Sequence, residues 1–143
     1  MTMDLMTKDQ TDDIQAVAKL YFDAWDARDL DAIMALHSSD TIFHSHTGQA
    51  PVTGAAAVRA AFADLLQMAP DISFRAWDLR FGEGFWTAQM VVNGTRPQAD
   101  GPDLEFSSHS VDVIWVEGGR VTRKDSYVDT AELFASLAPP ASW

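Results

Sequence analysis

The sequence of 143 residues contains no cysteine. A chain without cysteine has no disulfide scaffold, no thiol nucleophile and no thiolate ligands for zinc or an iron–sulfur cluster. The sequence also contains no long apolar run, which argues against a transmembrane helix. Its first residues lack the basic segment and the apolar stretch that together form a secretory signal peptide. From these absences we expect a cytoplasmic protein.

Basic residues are scarce, because 10 Lys and Arg stand against 21 Asp and Glu and give a formal net charge of −11. A surface of this charge repels phosphate backbones and anionic lipids, so neither nucleic acid nor a membrane is an expected partner. Hydrophobic residues make up 47% of the chain, which is enough to form a core. We therefore expect a single domain over residues 1–143, with a loosely ordered leader at 1–10 and tail at 139–143.

The first half of the chain has helical patterns. Apolar residues recur at helical spacing over about three turns: Ile14, Val17, Ala18, Tyr21 and Trp25. Asp29 is suited to cap the N-terminus of a short second helix. Residues 41–46 are β-like, and a third helix begins near Gly54 and ends at Pro70.

From residue 72 onward the apolar residues alternate with period two, which is typical of strands. The apolar phase changes between Ala76 and Trp77, and such a change inside one strand indicates a β-bulge and strong bending. Helices followed by strands favour an α+β fold. We predict three N-terminal helices packed on a strongly bent antiparallel sheet, in a cone with a ligand pocket between helices and sheet.

Three stretches of the chain resemble the nuclear transport factor 2-like superfamily, which includes ketosteroid isomerases and SnoaL-like polyketide cyclases. Residues 20–36 are similar to its first two helices, residues 54–62 to its third helix, and residues 112–121 with 127–129 to its terminal hairpin. The resemblance implies the cone-shaped fold of that superfamily. It leaves function open, because the superfamily contains isomerases, cyclases, epoxide hydrolases and binding modules.

The resemblance transfers residue roles only in part. Steroid isomerases have an oxyanion-hole tyrosine on the first helix and a carboxylic acid on the strand before the last hairpin, and Tyr21 and Asp112 match these positions. Their general-base aspartate has no counterpart in residues 45–48. Ser126 stands where cyclases and epoxide hydrolases have another aspartate, and Ser110 stands where the hydrolases have an arginine.

The register of the last hairpin decides which residue faces Asp112. A two-residue Gly-Gly turn places Asp112 opposite Asp125, whereas a three-residue Glu-Gly-Gly turn places it opposite Lys124. Like charges directly opposite destabilise a sheet and opposite charges stabilise it by roughly 0.2–1 kcal/mol, so we predict the three-residue turn. This register puts Lys124 and Ser126 on the face of Asp112, where Lys124 keeps the carboxylate ionised. A purely structural ion pair is the alternative role of Asp112.

We predict four catalytic residues. Asp112 contributes a carboxyl on an otherwise apolar or hydroxylated strand, and Tyr21 contributes an inward-pointing phenol suited to stabilise an oxyanion. His44 and His46 flank the place of the missing aspartate, and histidine is the usual proton carrier near neutral pH. The alternatives are a core tyrosine with a satisfied hydroxyl and surface histidines.

Further side chains are expected to line the ligand pocket: Trp25, Phe62, Trp86, Ser110, Lys124 and Ser126. Two histidines at positions i and i+2 of a strand are a weak metal signal. We therefore expect neither a metal nor another cofactor.

The sequence favours a cofactor-independent enzyme that moves protons on a small apolar or aromatic carbonyl compound, by isomerisation or aldol-type cyclisation. The alternatives are a non-catalytic binding module of the same fold and an epoxide or ester hydrolase in which Asp112 and a histidine activate water. Val111, Val113 and Trp115 make one sheet face too apolar for water alone. We therefore expect a homodimer formed through this face.

Overall fold

The protein forms four helices in the part of the chain that the computed structural model describes, which is the backbone of residues 2–137 and the side chains of residues 14–137. Helix α1 covers Thr2–Asp26 and includes residues 2–10, which the sequence predicts as a leader. The predicted tail at 139–143 lies outside the described residues. The other helices are α2 (Leu30–Ala35), α3 (Ala55–Met68) and α4 (Thr130–Leu137).

Six strands form one sheet in the order β2-β1-β6-β5-β4-β3. Their bounds are β1 (His37–His46), β2 (Val52–Thr53), β3 (Ser73–Gly82), β4 (Phe85–Arg96), β5 (Leu104–Glu117) and β6 (Arg120–Val128). All neighbours pair antiparallel except β1 and β6, which are parallel. The sheet is therefore mixed, and the prediction of an antiparallel sheet needs this correction. A parallel pair is possible here because α3 and four strands lie between β1 and β6 in the chain, which makes a long crossover.

The predicted β-bulge lies in β3, where the register with β4 shifts between Ala76 and Asp78. Trp77 is the extra residue, and its side chain is 61% exposed. Phe74 before the bulge and Phe81 after it both pack against the core. The bulge thus explains the change of apolar phase in the sequence.

The turn between β5 and β6 differs from the prediction. Gly118 and Gly119 have φ values of +59° and +77°, and Glu117 pairs directly with Arg120. Two successive residues with positive φ form the turn type that favours two-residue hairpins, and glycine adopts this conformation without strain. The predicted three-residue turn is therefore wrong.

A second irregularity in this hairpin decides the position of Asp112. The pairing changes between Val116 and Trp115, which leaves one extra residue, Thr122, in β6. Asp112 consequently lies opposite Ser126, rather than opposite either residue that the sequence suggested. Side chains alternate along β6, so Lys124, two residues before Ser126, points to the same face as Asp112. It lies diagonally across the two strands from Asp112.

Helices α1 and α3 cover one face of the sheet, which we call the inner face, and the opposite face is the outer face. The buried core lies between the helices and the inner face, with Trp25 of α1, Phe62 of α3 and Trp86 of β4 among its large side chains. Trp25 and Phe62 pack edge to face with ring centroids 5.0 Å apart. Within residues 2–137, no helix combines the length and apolar character needed to cross a membrane.

Candidate functional site

A group of five buried polar side chains lies between α1 and the inner face of the sheet. We call this group the inner cluster, and its members are Tyr21, His37, Thr41, Asp112 and Lys124. α1 contributes the tyrosine, β1 the histidine and threonine, β5 the aspartate and β6 the lysine. All five side chains are in a core that is otherwise apolar, where polar groups are stable only if they find partners.

Hydrogen bonds connect four members of the inner cluster into a chain. Lys124 Nζ donates to the Tyr21 hydroxyl at 3.3 Å, and the Tyr21 hydroxyl lies 3.0 Å from His37 Nε2. His37 Nδ1 lies 2.8 Å from Thr41 Oγ1. Because the Tyr21 oxygen accepts from Lys124, its own proton is assigned to His37 Nε2. This assignment places the proton of a neutral His37 on Nδ1, where it donates to Thr41.

The Lys124 ammonium is compensated by a carboxylate and by aromatic rings. Its Nζ lies 3.6 Å from Asp112 Oδ2. The same nitrogen is 4.5 Å from the ring centroid of Trp25, 5.1 Å from that of Tyr21 and 5.2 Å from that of Phe62. Cation–π attraction at these distances stabilises an ammonium whose side chain is only 6% exposed.

Burial and the Lys124 charge control the acid–base behaviour of the inner cluster. Burial, reinforced by the nearby ammonium, lowers the pKa of His37 from 6.5 to about 3, so the imidazole is neutral. Burial raises the pKa of Tyr21, although the ammonium opposes this. For Lys124, burial acts to lower the pKa, but Tyr21 and Asp112 outweigh it and the pKa is raised. The cluster therefore holds a charged lysine beside a protonated tyrosine.

A cavity of about 10 Å³ adjoins the inner cluster and is lined in part by Tyr21, Trp25, Asp112 and Lys124. This volume is about that of one water, far below the roughly 300–1,000 Å³ of ordinary ligand pockets. The indole nitrogens of Trp25 and Trp86 and the hydroxyl of Ser110 are buried without hydrogen-bond partners among the described residues. The interior thus has polar groups without partners but little space, so a ligand would have to displace side chains.

The structure brings together several of the residues predicted for the site. The Lys124 ammonium lies close to four other predicted site residues, which are Tyr21, Trp25, Phe62 and Asp112. One other predicted pocket residue, Trp86, is a fully buried core residue, as Phe62 is. Ser110 and Ser126 lie on the inner face but not in the cavity wall.

The two predicted catalytic histidines are elsewhere. His44 and His46 lie on the outer face, because side chains alternate along β1 and the neighbouring Phe43 packs inward against Phe62. They do not converge with Asp112, which corrects the expectation that they share its cavity. Among the described histidines the buried one is His37, at the start of β1, which is not among the predicted site residues. Its helical spacing from the apolar residues Leu30, Ile33 and Met34 is the sequence signal that could identify it.

His44 and His46 belong to a second group on the outer face, together with Arg123, Asp125 and Tyr127, which we call the outer cluster. His46 Nε2 lies 2.9 Å from Asp125 Oδ1, and His44 Nδ1 lies 4.0 Å from the same oxygen. Arg123 donates to both oxygens of Asp125, at 2.8 and 3.1 Å. These hydrogen bonds from Arg123, with a smaller contribution from His46, lower the pKa of Asp125. One ring nitrogen from each of His44 and His46 and one carboxylate oxygen of Asp125 all lie within 4.8 Å of one another, close enough to hold one metal ion.

Comparisons with known proteins agree with this architecture. A family model described as SnoaL-like domain matches residues 18–124. No functionally curated protein matches the chain. A solved structure described as a SnoaL-like polyketide cyclase from Jannaschia sp. CCS1 is similar, with a TM-score of 0.79 and 18% identity over 92% of this chain and 96% of that one.

Two further structures differ in what they are described to do. A protein with a ketosteroid isomerase-like fold from Catenulispora acidiphila DSM 44928, in complex with trimethylamine, has a TM-score of 0.75 and 18% identity over 89% of this chain and 95% of that one. An epoxide hydrolase of M. tuberculosis has a TM-score of 0.71 and 18% identity over 90% of this chain and 91% of that one. At such identities these structures establish the fold alone.

Proposed function

The chain belongs to the family of SnoaL-like domains, and on that premise we propose that it is a cofactor-independent enzyme. Its reaction is a proton transfer on a small, mostly apolar carbonyl compound, by isomerisation or aldol-type cyclisation. The observation that carries this proposal is the buried contact of Asp112 with Lys124, 3.6 Å apart, beside the Tyr21 hydroxyl. Structures with this fold include one described as a polyketide cyclase, which supports the reaction class.

In the proposed mechanism, Asp112 is the general base that removes a proton from the carbon beside the substrate carbonyl. The Lys124 ammonium lies 3.6 Å from this carboxylate and pairs with its charge. The carbonyl oxygen becomes an oxyanion, and Lys124 stabilises it together with the Tyr21 hydroxyl, whose single proton turns from His37 Nε2 to the oxyanion once substrate is bound. In the empty site His37 holds Tyr21 in position by accepting that proton in a hydrogen bond, so we assign to His37 the positioning role and leave His44 and His46 outside the reaction.

The test uses a reaction that does not require knowledge of the natural product. An enzyme that removes a proton beside a carbonyl can exchange it with solvent, so cyclohexanone and cyclohex-2-enone, which exchange slowly on their own, are suitable probes in D2O for deuterium incorporation by NMR. We expect Asp112→Asn to lower the exchange rate at least 100-fold, the lower end of general acid–base contributions. Tyr21→Phe removes one oxyanion donor, an effect of about 10²–10³-fold elsewhere.

Asp125→Asn is the matched control for this experiment, because it removes a carboxylate from the outer face of the neighbouring strand. Its exchange rate should equal that of the unmodified protein. Exchange that is unchanged in Asp112→Asn would contradict the assignment of the base. No exchange with any probe, combined with ligand-induced stabilisation, would favour the alternative of a non-catalytic binding module.

A hydrolase is the second candidate, and the cavity favours it. The space beside Asp112 is about 10 Å³, which suits one water molecule between a carboxylate and an ammonium. An epoxide hydrolase is among the proteins of this fold. Incubation with cyclohexene oxide or phenyl acetate in H2¹⁸O distinguishes the two candidates, because only a hydrolase puts ¹⁸O into the product.

We further propose that the protein is a homodimer formed through the outer face of the sheet. Trp115 is 43% exposed and Tyr127 47% exposed. On β5, Val111 pairs with Tyr127, and Val113 lies between Val111 and Trp115. A specific dimer should bury more than about 1,000 Å² in total. Sedimentation velocity at micromolar concentration should show a dimer, and Trp115→Glu should shift it to monomer. A monomer for the unmodified protein at these concentrations would contradict the proposal.

A further inference from the structure

We propose that the outer cluster binds a divalent transition-metal ion with affinity for imidazole, of which Zn²⁺ is the probe of choice. The three ligand atoms are His44 Nδ1, His46 Nε2 and Asp125 Oδ1. Two imidazoles and one carboxylate are a set of ligands that zinc accepts in proteins. This inference does not depend on the reaction proposed for the inner cluster.

The distances between the ligand atoms suit one ion. Bonds of about 2.0–2.1 Å in tetrahedral geometry put neighbouring ligand atoms about 3.3 Å apart. The two distances to Asp125 Oδ1 bracket this value, at 2.9 Å from His46 and 4.0 Å from His44. Small side-chain rotations therefore give the spacing that one ion requires, because the distance from His46 to Asp125 lengthens slightly and the distance from His44 to Asp125 shortens. The ion takes the place of the proton that His46 shares with Asp125.

The surroundings of the three ligands orient them. His44 Nε2 lies 2.9 Å from the backbone oxygen of Gln49, so this nitrogen carries the proton and Nδ1 has a free lone pair. That lone pair lies near the Asp125 carboxylate, which is also an acceptor, and a cation resolves this conflict. The His46 ring stacks on Tyr127 with centroids 4.0 Å apart. Metal-binding histidines generally donate a hydrogen bond from the ring nitrogen that does not bind the metal, as His44 Nε2 does to Gln49.

Access and charge are also suitable. In the single chain, before the outer face pairs with a second copy, the side chains of His44 and His46 are 22% and 27% exposed, so an ion reaches them from solvent and keeps a position for water. The formal net charge of −11 attracts cations to the protein. Arg123 opposes a cation, but it also fixes the orientation of the Asp125 carboxylate through two hydrogen bonds.

The experiment measures binding of Zn²⁺ to the untagged protein by isothermal titration calorimetry and binding of Co²⁺ by its visible absorption spectrum. We expect one Zn²⁺ per chain and a Co²⁺ spectrum of four-coordinate intensity. His44→Gln, His46→Gln and Asp125→Asn should each weaken binding by at least the 10–100-fold typical of lost supporting contacts around metal sites. Circular dichroism of each variant checks that it is folded.

His109→Gln is the matched control, because His109 is an exposed histidine on β5 that pairs with Glu132 rather than with the outer cluster. This variant should bind Zn²⁺ as tightly as the unmodified protein, and so should Asp112→Asn from the inner cluster. The proposal is overturned if Zn²⁺ at 100 µM does not bind. It is equally overturned if His109→Gln weakens binding as much as the three ligand variants, which would indicate non-specific surface binding.

Discussion

Two polar clusters on opposite faces of β6 contain the same four residue types, namely a cation, a carboxylate, a histidine and a tyrosine. Lys124 and Asp125 are neighbours in β6. Because side chains alternate along a strand, Lys124 points inward into one cluster and Asp125 points outward into the other. The inner set is Lys124, Asp112, His37 and Tyr21, and the outer set is Arg123, Asp125, His46 and Tyr127.

The two clusters differ in their access to water. Tyr21 is 2% exposed, whereas Tyr127 is 47% exposed. In the inner cluster the histidine is neutral with a pKa of about 3, and the lysine depends on Asp112 and three aromatic rings in place of water. In the outer cluster the Asp125 side chain is only 9% exposed, as that of Asp112 is, but its partners Arg123 and His46 are 39% and 27% exposed, so water is available to them when Asp125 is lost. The same residue types therefore make a tightly coupled site on one face and an adaptable, cation-accepting site on the other.

The largest expected effect of this difference is on the stability of Lys124→Met. Without the ammonium, the buried Asp112 carboxylate has no charged partner, and breaking a buried ion pair costs about 3–5 kcal/mol. Urea unfolding at pH 7 should show this loss. Lys124→Met combined with Asp112→Asn removes both charges and should recover more than half of it. A loss below about 1 kcal/mol in the single variant would show that water reaches the inner cluster.

The second effect is a dependence of stability on pH that originates in His37. Its pKa is lowered in the folded state, so the unfolded chain binds more protons between pH 6.5 and about 3, and stability falls as the pH decreases through this range. From pH 7 to pH 5 the loss should be about 2 kcal/mol. His37→Gln should remove most of this slope, whereas His109→Gln should leave it unchanged. Equal slopes in His37→Gln and the unmodified protein would contradict the burial of a neutral imidazole.

Local sequence patterns predicted the parts of this comparison that depend on neighbours in the chain. Helical spacing placed Tyr21 and Trp25 on the inward face of α1, and the change of apolar phase predicted the bulge at Trp77. Both are local effects of periodicity. The family resemblance likewise predicted a fold that the comparisons confirm.

Features that join distant segments were harder to predict. Charge pairing favoured a three-residue turn, because that argument assumed a regular hairpin without the extra residue Thr122. The parallel pairing of β1 with β6 was also missed, and it brings His46 to Asp125 across 79 residues of sequence. A pair of histidines is a weak metal signal by itself, and the third ligand becomes visible only when these strands are neighbours.

The smallest expected effect is that of Asp125→Asn in EDTA, where no metal contributes. Arg123 and His46 lose an ion-pair partner, but solvent replaces it, so the loss of stability at pH 7 should be about 1 kcal/mol or less. The pKa of Asp125 is lowered by hydrogen bonds from Arg123, so its contribution is present above the unfolded-state value of about 3.9 and is lost as the pH falls through the folded-state pKa. Urea unfolding of both proteins at pH 7 and pH 3 measures this difference. A loss at pH 7 as large as that of Lys124→Met would mean that the outer cluster is as isolated from water as the inner one.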